Sequence, residues 1–207
     1  MISKILCLLT VLIGFLASTS VLANTVVIYL VGLAGTGKYT IAKEIASQYE
    51  YKLVDNHLLN NPIFSLLPKG AALNPPEGTT DKIQRIREVV FEFITEDKHS
   101  NYVFTNQLLE KAYHHEIYEN VLQLAIKRNS IFIPVQLVIS KAERAKRIVQ
   151  ADRAERFKIT DIKEAHRPKN AIRLNHKHLL TLDVTSLSPK EAAKKIMEYR
   201  ESFRNIY

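Results

Sequence analysis

The sequence has almost no cysteine, and its single cysteine, Cys7, lies in an apolar stretch at the start of the chain. Residues 1–23 carry one charge, Lys4, followed by an apolar run over residues 5–16 and a small-residue end. This is the layout of a secretory signal peptide. We therefore expect an exported, secreted or periplasmic protein, or a cytoplasmic one if translation starts later. Once the leader is removed, no disulfide and no thiolate metal site is possible.

Long apolar runs are also absent after the leader. No stretch of residues 24–207 approaches the roughly 20 apolar residues that a bilayer-spanning helix needs. Apolar residues make up 46% of the chain and charged residues 24%. This ordinary balance excludes extended disorder, collagen-like repeats and coiled coils. We predict one α/β domain over residues 24–207.

The chain has a formal net charge of +8, and the excess of positive charge lies entirely in residues 141–207. One interpretation is a solvated basic surface that keeps the protein soluble. The other is a surface that attracts phosphate-bearing ligands. Nucleic acid is a poor candidate for that ligand, because no stacking aromatic residues are interleaved with the basic ones. The oligomeric state stays open.

Five short apolar runs predict five β-strands, at residues 25–31, 51–54, 101–105, 131–139 and 179–184. Pro134 predicts that the fourth strand begins after it, since proline cannot donate to a sheet ladder. A short helix is predicted over residues 60–67. A later helix is predicted to bury Ile83, Ile86, Val90 and Phe93. Strands that alternate with helices favour right-handed βαβ units and a parallel sheet covered by helices on both faces.

Half of the six glycines fall in a short segment after the first strand, which we call the glycine loop: Gly32, Leu33, Ala34, Gly35, Thr36, Gly37, Lys38, Tyr39 and Thr40. Glycines allow a backbone to turn its N–H groups towards an oligophosphate. The following helix adds the positive end of its dipole, and Lys38 adds a full charge for the β- and γ-phosphates. The whole loop is therefore predicted to bind a nucleotide.

Tyr39 departs from the usual form of this loop. Ser or Thr normally follows the lysine and holds Mg²⁺, whereas here Tyr39 follows it and Thr40 comes next. The order Gly-Lys-X-Thr resembles the loop of adenylate kinases and other small-molecule kinases. We assign Thr40 to the α-phosphate or to a metal-bound water.

Asp55 ends the second predicted strand, at the edge of an α/β sheet where reacting groups gather. It could accept the proton of an acceptor molecule or orient a Mg²⁺-bound water. The alternative is a helix cap. Asn56 and His57 come next and suit hydrogen bonds to a hydroxylated substrate, with turn chemistry or a structural role as alternatives.

Thr105 and Asn106 end the third strand, where many nucleotide hydrolases carry a metal-binding acid, and are candidate substrate contacts. Arg85 or Arg87 is a candidate for binding an anionic acceptor, with a solvated helix face as the alternative.

Residues 151–178 show no clear hydrophobic periodicity and are predicted to form a basic lid. Lid arginines can stabilise charge on a transferred phosphoryl group and exclude water.

Among the basic residues that follow the fourth strand, Arg147 and Arg153 are the candidates for closing over the γ-phosphate. Arg144 and Lys146 are expected to face solvent.

Four segments together resemble one family: GLAGTGKYTIAKEIA, VDNHLLNNPIF, PVQLVISKAERAKRIVQADRAERFKITD and LTLDVTSLSPKEAAKKI. They are similar to the P-loop kinases grouped with shikimate kinase, gluconate kinase and chloramphenicol phosphotransferase, over nearly all of residues 25–199. The resemblance implies the three-layer P-loop NTPase fold with a five-stranded sheet in the order 2-3-1-4-5. It also implies ATP as phosphate donor, with Mg²⁺, and a small hydroxyl compound as acceptor.

Two functional hypotheses remain open at this point. The first is an ATP-dependent small-molecule kinase in which Lys38, Asp55, Arg147 and Arg153 are catalytic and Thr40 and Asp55 bind the metal. The second is a nucleotide-binding protein with little or no turnover, which Tyr39 and the missing acid on the third strand favour.

Overall fold

The structure is a computed structural model that describes residues 25–68, 70–150, 160–163 and 170–203. The predicted leader lies outside these ranges, as do Arg153 and much of the predicted lid. Within them, no helix is both long and apolar enough to cross a membrane.

The described chain forms one parallel sheet in the order β2-β3-β1-β4-β5. This confirms the predicted fold and strand order. The central strand β1 is buried at every position, because it has neighbours on both sides and helices above and below. Its unbroken apolar sequence follows from that position. The five strands of the described residues are β1 (Val26–Val31), β2 (Tyr51–Asp55), β3 (Asn101–Asn106), β4 (Ile131–Val138) and β5 (Leu180–Asp183).

Helices cover both faces of the sheet, as predicted. Side chains alternate along β1, so Ile28 and Leu30 pack towards one helical layer while Val27 and Tyr29 pack towards the other. The first layer contains α1 and α6, and the second contains α2, α3 and α4. The helices of the described residues are α1 (Lys38–Gln48), α2 (Asn56–Phe64), α3 (Thr79–Glu96), α4 (Ala112–Lys127), α5 (Lys141–Ile148) and α6 (Pro189–Glu201), with a short 3-10 helix at Ala71–Leu73.

Pro134 lies inside β4, so the prediction that this strand begins after it was wrong. Alternate residues of a parallel strand direct their N–H groups to opposite neighbours. The N–H of Ile131 donates to the Thr25 carbonyl, on the β1 side, so the missing N–H of Pro134 is on the β5 side. There β5 pairs with β4 only from Val135 onwards. The proline therefore interrupts no hydrogen bond of the ladder.

The buried face of α3 differs from the predicted one. Phe93 is 68% exposed, whereas Ile83, Arg87 and Ile94 are buried. These three residues lie on one side of the helix because their spacings of four and seven residues are close to whole turns. An arginine thus occupies the inner face, and Phe93 lies on the outer one.

Residues 170–178 were assigned to the lid by their sequence. In the structure they run against the body of the protein, where Ile172 is fully buried with the residues of α4 and β3. Ala171 forms an isolated antiparallel bridge with Leu109.

Candidate active site

The glycine loop connects β1 to α1. Gly35 and Gly37 have φ angles of +90° and +83°, a region that other L-residues rarely adopt. Gly37 is the N-terminal cap residue of α1. The loop therefore ends where the first N–H groups of a helix lack intrahelical partners and the helix dipole is positive. Such a concavity is suited to binding an anion.

Lys38 holds its positive charge against the loop. Its Nζ donates to the carbonyl oxygens of Gly32, at 2.7 Å, and Leu33, at 2.9 Å. The hydroxyl of Thr36, which is buried, donates to the same Leu33 carbonyl at 2.9 Å. The ammonium group is therefore positioned at the concavity of the glycine loop and not in bulk solvent.

Thr40 is the only threonine or serine in the first turn of α1, one residue later than the usual position. Its hydroxyl donates to the Gly37 carbonyl at 2.8 Å and lies on the exposed side of the helix. A hydroxyl oxygen that donates one hydrogen bond still has lone pairs that can bind a metal or accept from a metal-bound water. Tyr39, directly after the lysine, is half-buried.

Helix α5 packs against the glycine loop. Arg144 is only 5% exposed, and its Nε donates to the Ala34 carbonyl at 2.9 Å. The prediction that Arg144 faces solvent was therefore wrong, whereas the exposed position of Lys146 is confirmed. Arg144 and Ile148 are one turn apart, so both lie on the face of α5 that packs against the loop. The basic sequence of α5 alone does not indicate the contact between Arg144 and Ala34.

Arg147 joins α5 to the segment that follows β5. Its Nη2 donates to the carbonyls of Val184, at 3.1 Å, and Thr185, at 3.4 Å, and its Nε donates to Glu143 at 2.8 Å. This guanidinium holds the pKa of the Glu143 carboxyl below its usual range. A Cβ atom placed on Gly37 would be 3.6 Å from Arg147 Nη1. Arg147 is thus beside the loop, on a helix that precedes the predicted lid.

Asp55 is buried at the end of β2, with 4% of its surface exposed. It stands at the N-cap position of α2 but makes no capping hydrogen bond with its side chain. Helix α2 begins directly after it, not at residue 60 as predicted. The Thr105 hydroxyl donates to the Asp55 carboxylate. The Asp55 side chain therefore does not cap α2, which removes the helix-cap alternative.

The strand register brings Asp55 close to the glycine loop. Asp55 pairs with Thr105, and Thr105 pairs with Leu30, so the three residues form one row across β2, β3 and β1. The glycine loop begins two residues after Leu30. Two predicted site residues, Asp55 and Thr105, and the glycine loop therefore lie at one edge of the sheet.

Arg87 is a buried cation, 4% exposed, between α2 and α3. Its Nη1 donates to Gln84 at 2.9 Å, and its Nη2 donates to the amide oxygens of Asn56, at 3.1 Å, and Asn60, at 3.5 Å. In the described part of the chain no carboxylate forms an ion pair with it. Arg85 is exposed. The sequence pattern indicated Arg87 and Asn56 as separate candidates, but not Gln84. For Gln84 the available signal was its spacing of three residues from Arg87 on α3.

Asn106, the last residue of β3, is on the opposite face of the sheet from Thr105. It lies on the same side as Arg87 and the fully buried Tyr29. Burial raises the pKa of the Tyr29 hydroxyl, while Asn106 and Arg87 lower it in part. Tyr29 therefore stays neutral at physiological pH.

His57 is half-buried on α2, next to Asn56, and its Nδ1 is enclosed by protein.

The chain has the three-layer fold that is found in solved structures of P-loop small-molecule kinases. Solved structures with this fold include a protein from Chloroflexus aurantiacus proposed to be a kinase, with 16% identity, a TM-score of 0.60, and coverage of 87% of this chain and 98% of that one. A gluconokinase from Sinorhizobium meliloti has 14% identity and a TM-score of 0.56, covering 89% and 95%.

The Mycobacterium tuberculosis APS kinase, solved with AMPPNP and APS, also has 14% identity and a TM-score of 0.56, covering 86% and 98%. At such identities the similarity concerns the fold. No family model matches the sequence, and no curated protein is significantly similar to it.

The contact between Arg144 and the glycine loop gives a first prediction. Arg144→Leu should lower the free energy of unfolding by about 1–3 kcal/mol, because the buried Ala34 carbonyl loses its donor. Lys146→Leu, on the exposed side of the same helix, should change it by less than about 0.5 kcal/mol. Urea unfolding followed by circular dichroism measures both. Equal midpoints for the two variants would contradict the assigned role of Arg144.

Proposed function

We propose that the protein is an ATP-dependent phosphotransferase that moves the γ-phosphate of ATP to a hydroxyl group of a small molecule. The observation that carries this proposal is the shared position of the glycine loop and the buried Asp55 carboxylate. Both lie at the carboxyl edge of the sheet, with only β3 between their strands. A phosphate-binding loop and a proton acceptor in one cleft are the two parts that phosphoryl transfer to an alcohol requires.

The loop suits the triphosphate of ATP. It offers backbone N–H groups, the N-terminus of α1 and the Lys38 ammonium, all of which favour negative charge. Arg147 adds a second cation beside Gly37, where it can stabilise charge that develops on the transferred group. Arg153, which lies outside the described residues, is proposed as the lid arginine that completes this set.

A magnesium ion would neutralise charge on the ATP phosphates when bound. Within the described residues no three carboxylate, imidazole or thiol side chains are grouped to hold a metal ion. Mg²⁺ usually binds through one or two protein oxygens together with substrate phosphates and waters. The Thr40 hydroxyl and the Asp55 carboxylate are the proposed protein ligands, directly or through water.

Asp55 is proposed as the general base. It would take the proton of the acceptor hydroxyl as the acceptor oxygen forms its bond to the γ-phosphorus. The bond from that phosphorus to the β–γ bridging oxygen breaks, and ADP leaves. The hydrogen bond from Thr105 fixes the orientation of the carboxylate, and burial keeps competing water away from it.

The acceptor is proposed to be an anion that also carries hydroxyl groups. Among the described residues the buried Arg87 guanidinium donates to neutral amide oxygens, so its charge is available to a carboxylate or phosphate. Asn56 and His57, next to Asp55 in the chain, would bind hydroxyl groups of the same molecule together with Thr105 and Asn106.

Thermal unfolding with Mg²⁺ and ATP tests the donor site. At an ATP concentration of 100 times Kd, binding adds about 2.7 kcal/mol of stability, which raises the melting temperature by several degrees. Lys38→Ala should abolish this rise because it removes the charge at the loop. Lys43→Ala, an exposed lysine on the same helix, should keep it. A folded wild-type protein that shows no rise would exclude the kinase function.

Asp55→Asn separates binding from catalysis. The amide cannot accept the proton, so phosphoryl transfer should fall by roughly 10²–10⁴-fold. Most of the ATP-dependent rise in melting temperature should remain, because the glycine loop and Lys38 are proposed to hold the phosphates and Asp55 is only one of two proposed metal ligands. ADP release with a panel of polyhydroxyl acceptors measures the transfer. Asp81→Asn, an exposed carboxylate on α3, is the control. Transfer that survives in Asp55→Asn would disprove the assignment of the base, and ATP binding without transfer by the wild type would favour a protein that only binds nucleotides.

Arg87→Gln tests the class of acceptor. Gluconate and sorbitol form a matched open-chain pair that differ only in a carboxylate against a CH2OH group, and similar pairs can be drawn from other sugar acids. We expect the wild type to prefer the anionic member of the pair that it accepts. The variant should raise the KM for that member by about tenfold or more, the value of one lost charged hydrogen bond, with little change for the neutral one. Arg173→Gln, at an exposed arginine, should change neither constant.

A further inference from the structure

The outer face of α3 exposes apolar side chains that no described residue covers. Val89 is 66% exposed and Phe93 is 68% exposed, and the two are one turn apart. Ile86, one turn before Val89, is half-buried. This face points away from the sheet, since Ile83 and Arg87 occupy the opposite side of the helix.

The spacing on this face is that of a helix that packs against another helix. Lys82, Ile86, Val89, Phe93 and Glu96 follow one another at alternating steps of four and three residues, as in a coiled-coil seam. Three apolar residues form the centre of this seam. A charged residue lies at each end.

The charges beside the seam are arranged by sign. Lys82 and Arg85 lie at the N-terminal end of α3, and Glu92 and Glu96 lie at the C-terminal end. All four are exposed, and none forms an ion pair with another described residue. Asp81 and Glu88 are also exposed, but they lie further round the helix from the apolar centre. The edge nearest the apolar centre is therefore basic at one end and acidic at the other.

We infer that this face, the α3 seam, binds the α3 seam of a second copy of the chain in an antiparallel arrangement. If a twofold axis passes near Val89, Lys82 lies opposite the partner's Glu96, and Ile86 and Phe93 pack against each other across the axis. A parallel arrangement would place like charges together. Self-complementarity of this kind is what a closed twofold dimer requires, and packing of the seam would remove Val89 and Phe93 from water.

The inference is independent of the chemistry at the glycine loop, because it concerns only the association of two chains. Sedimentation equilibrium of the full chain tests it. We expect a mass of twice the 23.7 kDa of one chain at a concentration of roughly 100 µM, the range of a weak homodimer. A wild-type mass of 23.7 kDa under those conditions would overturn the inference.

Phe93→Glu places a charge in the centre of the α3 seam. It should reduce the mass to that of one chain while leaving the melting temperature unchanged at low protein concentration, since the side chain is exposed within the chain. Ile126→Glu is the matched control, because Ile126 is 58% exposed on α4 and lies outside the seam. A dimer that survives Phe93→Glu, or one lost equally in Ile126→Glu, would show that the contact lies elsewhere.

Charge reversal tests the antiparallel register. Lys82→Glu alone, or Glu96→Lys alone, should weaken association by about tenfold, because each places like charges opposite one another. The double variant Lys82→Glu, Glu96→Lys exchanges both charges on both copies and should restore the wild-type Kd. Failure of the double variant to restore association would exclude this register, even if Phe93→Glu is monomeric.

Discussion

Burial of β1 is the constraint on which the arrangement of the site depends. Every residue of this strand is enclosed by two neighbouring strands and two helical layers, so charged groups have no place along its length and the Tyr29 hydroxyl is its one polar side-chain group. Charged groups appear where the strand ends, and there the chain turns through the glycine loop. Because the neighbouring strands are parallel and in register, Asp55 and Thr105 come to the same edge. The position of the site thus follows from the packing of an apolar strand.

The arginines of the C-terminal third explain part of the net charge. Neither Arg144 nor Arg147 is simply a solvated cation, since each donates to backbone carbonyls, at Ala34 and at Val184 respectively. Together they connect α5 to the glycine loop and to the end of β5. Lys146, between them, is exposed. The basic excess therefore includes both a solvated surface and structural links around the loop, while the attraction of phosphate-bearing ligands stays a prediction.

The sheet and the glycine loop could be predicted because their signals are local: an apolar run, then glycines, then a helix. The errors arose where a residue's environment depends on distant segments. Pro134 is tolerated because β5 begins one residue later, which the sequence of β4 does not reveal. The amide partners of Arg87 come from a helix about 30 residues earlier in the chain. Phe93 fits an apolar period, but the inner face of α3 is occupied by Ile94 and Arg87.

The unbalanced charge of Arg87 also affects the stability of the whole domain. Its hydrogen-bond partners among the described residues are neutral amide oxygens. Burial of a guanidinium among such partners lowers the free energy of unfolding, because the same group is fully hydrated in the unfolded state. If an anionic acceptor binds there, it relieves this penalty as well as forming its own contacts. The domain without such an anion would then have a lower free energy of unfolding than the domain with the anion bound.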